Sequence, residues 1–265
     1  MRTIGLTLVL LAAALVGGIA SAAAPSGIGR MAVTPTTLTA GSTGNELTFA
    51  YTAIRTLTGQ TIVDFPRGWS LPQQRNPSSA GYVELKRGTC GGSTKISSIR
   101  ARRVTIATAC KRGHGYQLLY HKASVPTLAA DGYIFLTQTK TNGRKAKFRP
   151  LVRSGQPVVK VKGGPAAGLD MTLTSVTTAG TPFGVTVRAV DPYFNNAFPY
   201  GATVTLTSTD PVATLPGPYA YQPTDLAQHT FTGVVLHTPG TQWITATDSN
   251  GLTKTSPPIT VNVSS

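Results

Sequence analysis

The run Phe183-Gly184-Val185-Thr186-Val187-Arg188-Ala189 decides the fold. Phe183, Val185, Val187 and Ala189 fall on one face of an extended chain and Gly184, Thr186 and Arg188 on the other, the two-residue period of a half-buried strand. Working outward, Ala202, Val204 and Leu206 alternate with Thr203, Thr205 and Thr207. Phe231, Ile244 and Ala246 continue the pattern, and Gly233 is expected to be a bulge that shifts the phase before Val234 and Leu236. Upstream, Leu47, Phe49, Tyr51 and Ala53 alternate with Thr48, Ala50 and Thr52. Further strand candidates are residues 61–65, 82–85, 116–121 and 132–139, after which Asn142-Gly143 predicts a tight turn into a strand over 145–153. No stretch keeps a 3.6-residue period over three turns, and 28 glycines, 19 prolines and only 12% charged residues suit a turn-punctuated β chain. The expected fold class is all-β, two β-sandwich domains in tandem, the second immunoglobulin-like.

The boundary is expected at Gly163-Gly164-Pro165-Ala166-Ala167-Gly168, where small residues interrupt the strand pattern and the charge changes sign. Residues 25–162 hold 21 basic and four acidic residues, whereas 163–265 hold two basic and five acidic. Residues 1–24 have the form of a secretory signal: Arg2, an apolar stretch from Ile4 to Val16, and the small-residue site Ala20-Ser21-Ala22. That apolar stretch is too short, and too rich in Gly and Ala near its end, for a comfortable transmembrane anchor. The organisation expected is therefore a signal peptide (1–24), a basic β-sandwich with one disulfide (25–162), a linker (163–168) and an immunoglobulin-like β-sandwich (169–265), secreted or loosely associated with the cell envelope.

Cys90 and Cys110 are the two cysteines of the chain, and in an exported protein they are expected to pair. Residues 94–99 and 104–108 form two strand-like runs that fold back about a turn near Arg100 and Ala101. In a register where facing numbers sum to about 200, Ile96 meets Val104 and Cys90 meets Cys110. The rival reading of Thr89-Cys90-Gly91-Gly92-Ser93 as a nucleophile loop lacks a motif that would supply a base.

The order Ala179-Gly180-Thr181-Pro182-Phe183, Val185-Thr186-Val187, Asp191, Asn195-Asn196 and Thr205-Leu206-Thr207-Ser208-Thr209-Asp210-Pro211 resembles bacterial immunoglobulin-like repeats. His229-Thr230-Phe231 and Pro239-Gly240-Thr241-Gln242, running into Ile244-Thr245-Ala246-Thr247-Asp248, extend the resemblance over residues 169–264. It implies a surface-protein or adhesin-type module and names no ligand. The first domain more loosely resembles β-rich modules of secreted actinobacterial proteins, through Thr39-Ala40-Gly41-Ser42-Thr43-Gly44-Asn45, Phe49-Ala50-Tyr51-Thr52, Pro66-Arg67-Gly68-Trp69-Ser70 and Ala80-Gly81-Tyr82.

No catalytic residue, metal site or cofactor is expected. The first domain offers only Glu46, Asp64, Glu84 and Asp131 for paired-carboxylate chemistry, and no GxSxG, HExxH or Walker loop occurs. His114, His121, His229 and His237 lack metal-ligand spacing. Asp191, Asn195 and Asn196 suit turn formation better than a Ca²⁺ site, since only one is charged. Trp69 is expected as a core or loop anchor, and Trp243 to pack on the first domain or a neighbouring strand. The functional signal is the basic charge, which exceeds what solubility needs. Arg100, Arg102 and Arg103 are expected at a hairpin tip, with Lys145, Lys147, Arg149 and Arg153 on one strand face and Lys111, Arg112, Lys140 and Arg144 at strand ends. The expected activity is adhesion or binding without catalysis, the basic domain docking on anionic envelope polymers or acidic glycans. The alternative is an extracellular hydrolase or lyase acting on an acidic polymer. Sequence-specific nucleic-acid recognition is not expected, as no helix is available for a groove.

Overall fold

The computed structural model describes residues 26–264, so the expected signal segment lies outside the described residues. Among the described residues no helix is long and apolar enough to cross a membrane. The first sandwich consists of β1 (Arg30–Thr34), β2 (Thr37–Thr39), β3 (Asn45–Thr52), β4 (Leu57–Asp64), β5 (Tyr82–Lys86), β6 (Lys95–Arg100), β7 (Arg103–Cys110), β8 (Gly115–Ala123), β9 (Ala130–Ile134), β10 (Leu136–Thr141), β11 (Arg149–Pro150) and β12 (Val158–Lys162). The second consists of β13 (Gly168–Thr172), β14 (Val176–Thr178), β15 (Pro182–Val190), β16 (Thr203–Ser208), β17 (Tyr219–Ala220), β18 (Gln228–Val235), β19 (Gly240–Gln242), β20 (Ile244–Asp248), β21 (Thr253–Thr255) and β22 (Ile259–Asn262).

Sheet β1-β3-β8-β5 forms one layer of the first sandwich, and the sheets β11-β10-β4-β7-β6 and β2-β12-β9 form the other. The second sandwich sets β13-β15-β18 against β14-β22-β19 and β17-β16-β20-β21. Both sandwiches use one device that the strand patterns upstream of Leu47 and Phe183 did not announce. Their opening strand pairs antiparallel in one layer (β1 with β3, β13 with β15), then crosses to run parallel to the closing strand of the other (β2 with β12, β14 with β22). One segment thereby stitches both layers and covers two sheet edges.

Alternation puts Val185, Val187 and Ala189 in the second core with Val204, Leu206, Phe231, Ile244 and Ala246. Gly233, at φ 76°, falls where the β15–β18 register shifts, as its position in the pattern predicts. The first core is aromatic: Phe135 lies 4.8 Å from Phe49, 5.3 Å from Phe65 and 4.9 Å from Trp69, ring centre to ring centre. Trp69 is thus a core anchor, whereas Trp243, between β19 and β20, remains partly exposed and outside the core.

Three local expectations need correction. The β6–β7 register is Ile96 to Ile106, Ile99 to Val104 and Arg100 to Arg103, with a bulge between Ile96 and Ser98. The turn is therefore Ala101-Arg102, with Ala101 in the left-handed region, and it sits one residue later than expected. Cys110 faces Leu57 of β4, and Cys90 lies in a turn ahead of β6. The disulfide still forms, with Cα atoms 4.5 Å apart, because the amide of Gly91 donates to the Ala109 carbonyl and draws the two segments together. Residues 132–139 are not one ladder: β9 bonds to β12 and β10 to β4, and Phe135 between them points wholly into the core. Finally, only Arg149–Pro150 of the expected 145–153 strand pairs, opposite Gln138 and Thr139. Pro150 has no amide to extend the ladder, and closely spaced Arg144, Lys145 and Lys147 repel one another in water.

Two stability predictions follow from this architecture. The disulfide closes a loop of sequence separation 20, so the Cys90→Ser, Cys110→Ser variant should lose about 3 kcal/mol in urea unfolding; an unchanged midpoint would refute this. In the second sandwich Asp210 is buried and accepts from the amides of Val212, His237 and Thr238 and from the Thr238 hydroxyl. Burial alone would raise its pKa, but these donors outweigh burial and hold it at about 2. A depressed carboxyl contributes stability that is present above its unfolded pKa of about 4 and lost as pH falls through about 2. The Asp210→Asn variant should be less stable at pH 7 and show a flatter acid limb between pH 4 and 2. Parallel wild-type and variant limbs would show that Asp210 carries none of it.

Candidate functional site

The antiparallel registers sort the first sandwich's charges by pole. Leu57 of β4 faces Cys110 of β7, Thr141 of β10 faces Gly59, and Thr52 of β3 faces both Arg30 of β1 and Gly115 of β8. One end of the sandwich is therefore built by four connectors: residues 53–56, 87–94, 111–114 and 142–148. They carry Arg55, Arg87, Lys111, Arg112, Arg144, Lys145 and Lys147, all exposed, and no Asp or Glu. Among the described residues none of the seven forms an ion pair. Lys140 and Arg149 flank them on β10 and β11, with the Lys140 ammonium 4.8 Å above the Phe148 ring.

The domain's carboxylates are placed elsewhere, each beside a basic side chain. Asp64, at the far end of β4, takes both arms of Arg103, at 2.6 and 2.9 Å. Glu46, also at the far end, bonds His121, whose other ring nitrogen faces Glu84; Asp131 pairs with Lys160. The histidine and two glutamates lie on the outer face of the β3-β8-β5 ladder, where Leu47, Val83 and Tyr120 point inward.

This geometry redistributes the expected anion-binding residues. The hairpin tip is less available than its three arginines suggest: Arg103 is neutralised by Asp64, Arg102 donates to the Pro66 carbonyl, and of the three only Arg100 is without a polar partner among the described residues. Lys145, Lys147 and Arg149 do not share a strand face, but the loop carrying the first two joins Lys111 and Arg112 at the same pole. Arg153 is exposed on a short 3₁₀ turn between β11 and β12. Arg55 and Arg87 were missed, since single cations in connectors acquire meaning only once the registers bring the connectors together.

The opposite end of the first sandwich joins the second. Asp191, 2% exposed, accepts from the amides of Gly164, Tyr193 and Asn195 and from the Asn195 side chain. Asn195 reaches back into the first domain: its Nδ2 donates to the Thr127 carbonyl at 2.7 Å, and its Oδ1 accepts from the Ala129 amide at 2.8 Å. Gly41 leaves room for the Tyr193 ring, which a Cβ at that position would meet at 2.2 Å. Asp191 and Asn195 thus form a turn, as their types predict, and that turn also clasps the two domains. Burial would raise the Asp191 carboxyl, but the Asn195 side chain and three amides hold it below its ordinary range. Among the described residues no three His, Cys, Asp or Glu side chains group as a metal site.

No family model and no curated protein sequence matches the chain. Among solved structures it is similar to the Yersinia pseudotuberculosis adhesin InvE (12% identity, 89% of this chain and 59% of that one, TM-score 0.31). It is likewise similar to the Escherichia coli adhesin FdeC (14%, 91% and 65%, TM-score 0.41) and to red sea bream transglutaminase (9%, 88% and 31%, TM-score 0.26). The chain spans about three-fifths of the two adhesin chains. At these scores none of the likenesses bears on activity or ligand.

The clasp predicts a rigid tandem. Residual dipolar couplings from both domains of the wild type should fit one alignment tensor at neutral pH. The Asn195→Ala variant should need two, with each domain's amide spectrum otherwise preserved, and so should the wild type once pH falls below the ordinary carboxylate range and Asp191 takes a proton. A single tensor in the variant would show that other contacts hold the domains.

Proposed function

We propose that this chain is an exported, non-enzymatic module of a bacterial cell surface that docks on anionic envelope polymers. The basic pole of its first domain makes the contact, and the immunoglobulin-like domain serves as spacer or adhesive element. The observation that carries this reading is the convergence of Arg55, Arg87, Lys111, Arg112, Arg144, Lys145 and Lys147 from four connectors onto one pole without a carboxylate. Such a field concentrates polyanions, and the neutralised phosphates or carboxylates release condensed counterions. The Cys90–Cys110 bond suits an oxidising compartment outside the cytoplasm. The hydrolase alternative finds less support: Asp64 and Asp131 are engaged by Arg103 and Lys160, and Glu46 and Glu84 flank His121 on an outer sheet face instead of a cleft.

Heparin and a glycerol-phosphate polymer are suitable probes for retention at several salt concentrations. Neutralising Lys111, Arg112, Arg144 and Lys145 with Gln should flatten the log–log salt dependence by about three, since each phosphate contact contributes about 0.7 to 0.9. Arg100→Gln should leave the slope within about one of wild type. Equal slopes for wild type and the fourfold variant would reduce the basic pole to a solubility feature.

A further inference from the structure

Within the basic pole one place differs from a diffuse field. The chain leading into β1 crosses over the β10–β11 hairpin, and the Gly27 amide donates to the Pro150 carbonyl while the Ile28 amide donates to the Thr139 hydroxyl at 2.6 Å. The crossing is tight: a Cβ on Gly27 would lie 2.4 Å from the Arg149 carbonyl oxygen. Tyr51 pins the same crossing from below through its hydroxyl, which donates to the Ile28 carbonyl at 2.7 Å. Beside this fixed backbone lies an open cleft of about 230 Å³ whose lining includes Arg55, Lys140, Lys147, Arg149 and Ser26. The four cations come from three separate segments: the β3–β4 connector, strand β10, and the loop that ends in β11.

We infer that this cleft is a phosphate subsite, holding the terminal phosphate monoester of a polymer while the remaining pole cations bind its internal phosphates through the field alone. The inference rests on the proposed docking function and refines it. Three features favour phosphate over the carboxylate of an acidic sugar. Four cations around one cleft exceed what a single carboxylate neutralises, whereas a phosphate offers more acceptor oxygens and, as a monoester, up to two charges. Two lysines act as point charges and two arginines as forks, the pairing that suits phosphate oxygens. A sugar ring would need a flat apolar face to stack on, and the nearby Phe148 ring is covered by the Lys140 ammonium.

The test is calorimetric titration of the whole chain with short glycerol-phosphate oligomers that end in a phosphate monoester and with uronate oligomers of equal charge. Two double variants remove the same charge: Arg55→Gln with Lys147→Gln at the cleft, and Lys111→Gln with Arg112→Gln outside it. The expected result is phosphate-oligomer binding at least tenfold weaker for the cleft variant than for the other, with uronate oligomers bound more weakly throughout. Unchanged melting temperatures establish folding; should the cleft variant melt early, the single variants Lys147→Gln and Lys111→Gln are compared in its place. Equal losses in both variants overturn the subsite and leave the docking function standing. Equal affinity for uronate overturns the phosphate assignment, as does tighter binding to anionic phospholipid vesicles than to the polymer. No binding of either oligomer by the wild type at low salt overturns the docking function and the subsite with it.

Discussion

Twenty-one cations and four carboxylates share the surface of one sandwich of ordinary size, and their mutual repulsion is the constraint under which that domain folds. A compact β-sandwich can meet it by setting carboxylates beside basic side chains and spacing the remaining cations around water-exposed connectors. Both are seen. Asp64 and Asp131 are held by Arg103 and Lys160, and Glu46 by His121, toward the junction. Arg55, Arg87, Lys111, Arg112, Arg144, Lys145 and Lys147 gather at the other pole, while further cations without an ion pair among the described residues, such as Arg100, stay near the junction end. The disulfide gains a second meaning here. Cys90 lies in the connector that carries Arg87, and Cys110 directly precedes Lys111 and Arg112, so the covalent bond ties together two loops whose charges push them apart. Screening by about 0.15 M salt shortens that repulsion to roughly 8 Å, which still covers neighbouring loops.

The two ends of the first domain are therefore differently built. The basic pole is formed by connectors with few side-chain bonds, while the junction is formed by a buried carboxylate and a carboxamide with every acceptor used. Asp191 orders its own turn and the Gly164 amide, and Asn195 carries that order across to Thr127 and Ala129. Five small residues separate β12 from β13, a composition that in isolation would make a mobile tether. Here Gly164 also accepts from the Phe198 amide, so the tether is fixed at its second residue.

Much of the fold was legible in the sequence because burial on one face enforces a period of two, and that period survives in β3, β7, β8, β15, β16 and β20. What was not legible depended on partners distant in the chain. The opening strands switch layers, which no local pattern reports. Residues 132–139 look like one strand, and only the need to seat Phe135 among Phe49, Phe65 and Trp69 divides its ladder between β12 and β4. The 145–153 segment alternates like a strand, yet Pro150 and its like charges leave it a loop. For the candidate site, the excess of cations was plain and their grouping was not. Arg100, Arg102 and Arg103 looked like the most exposed cluster because they adjoin a turn, but Asp64 and the Pro66 carbonyl, about 36 to 39 residues away in the chain, take two of the three.

Charge polarity and rigidity have a joint mechanical consequence. The second domain carries two cations and five carboxylates, and it is clasped to the end of the first domain opposite the basic pole. A molecule so charged has a dipole along its length, and near a polyanionic surface the field turns the basic pole inward and the acidic domain outward. With a flexible tether only the first domain would be oriented. With the Asp191–Asn195 clasp the torque on the first domain is transmitted to the second, whose far end then points away from the surface. Under the proposed docking function the clasp and the basic pole, at opposite ends of one sandwich, would act together: the pole would set which end lands, and the clasp would make the landing orient the whole chain.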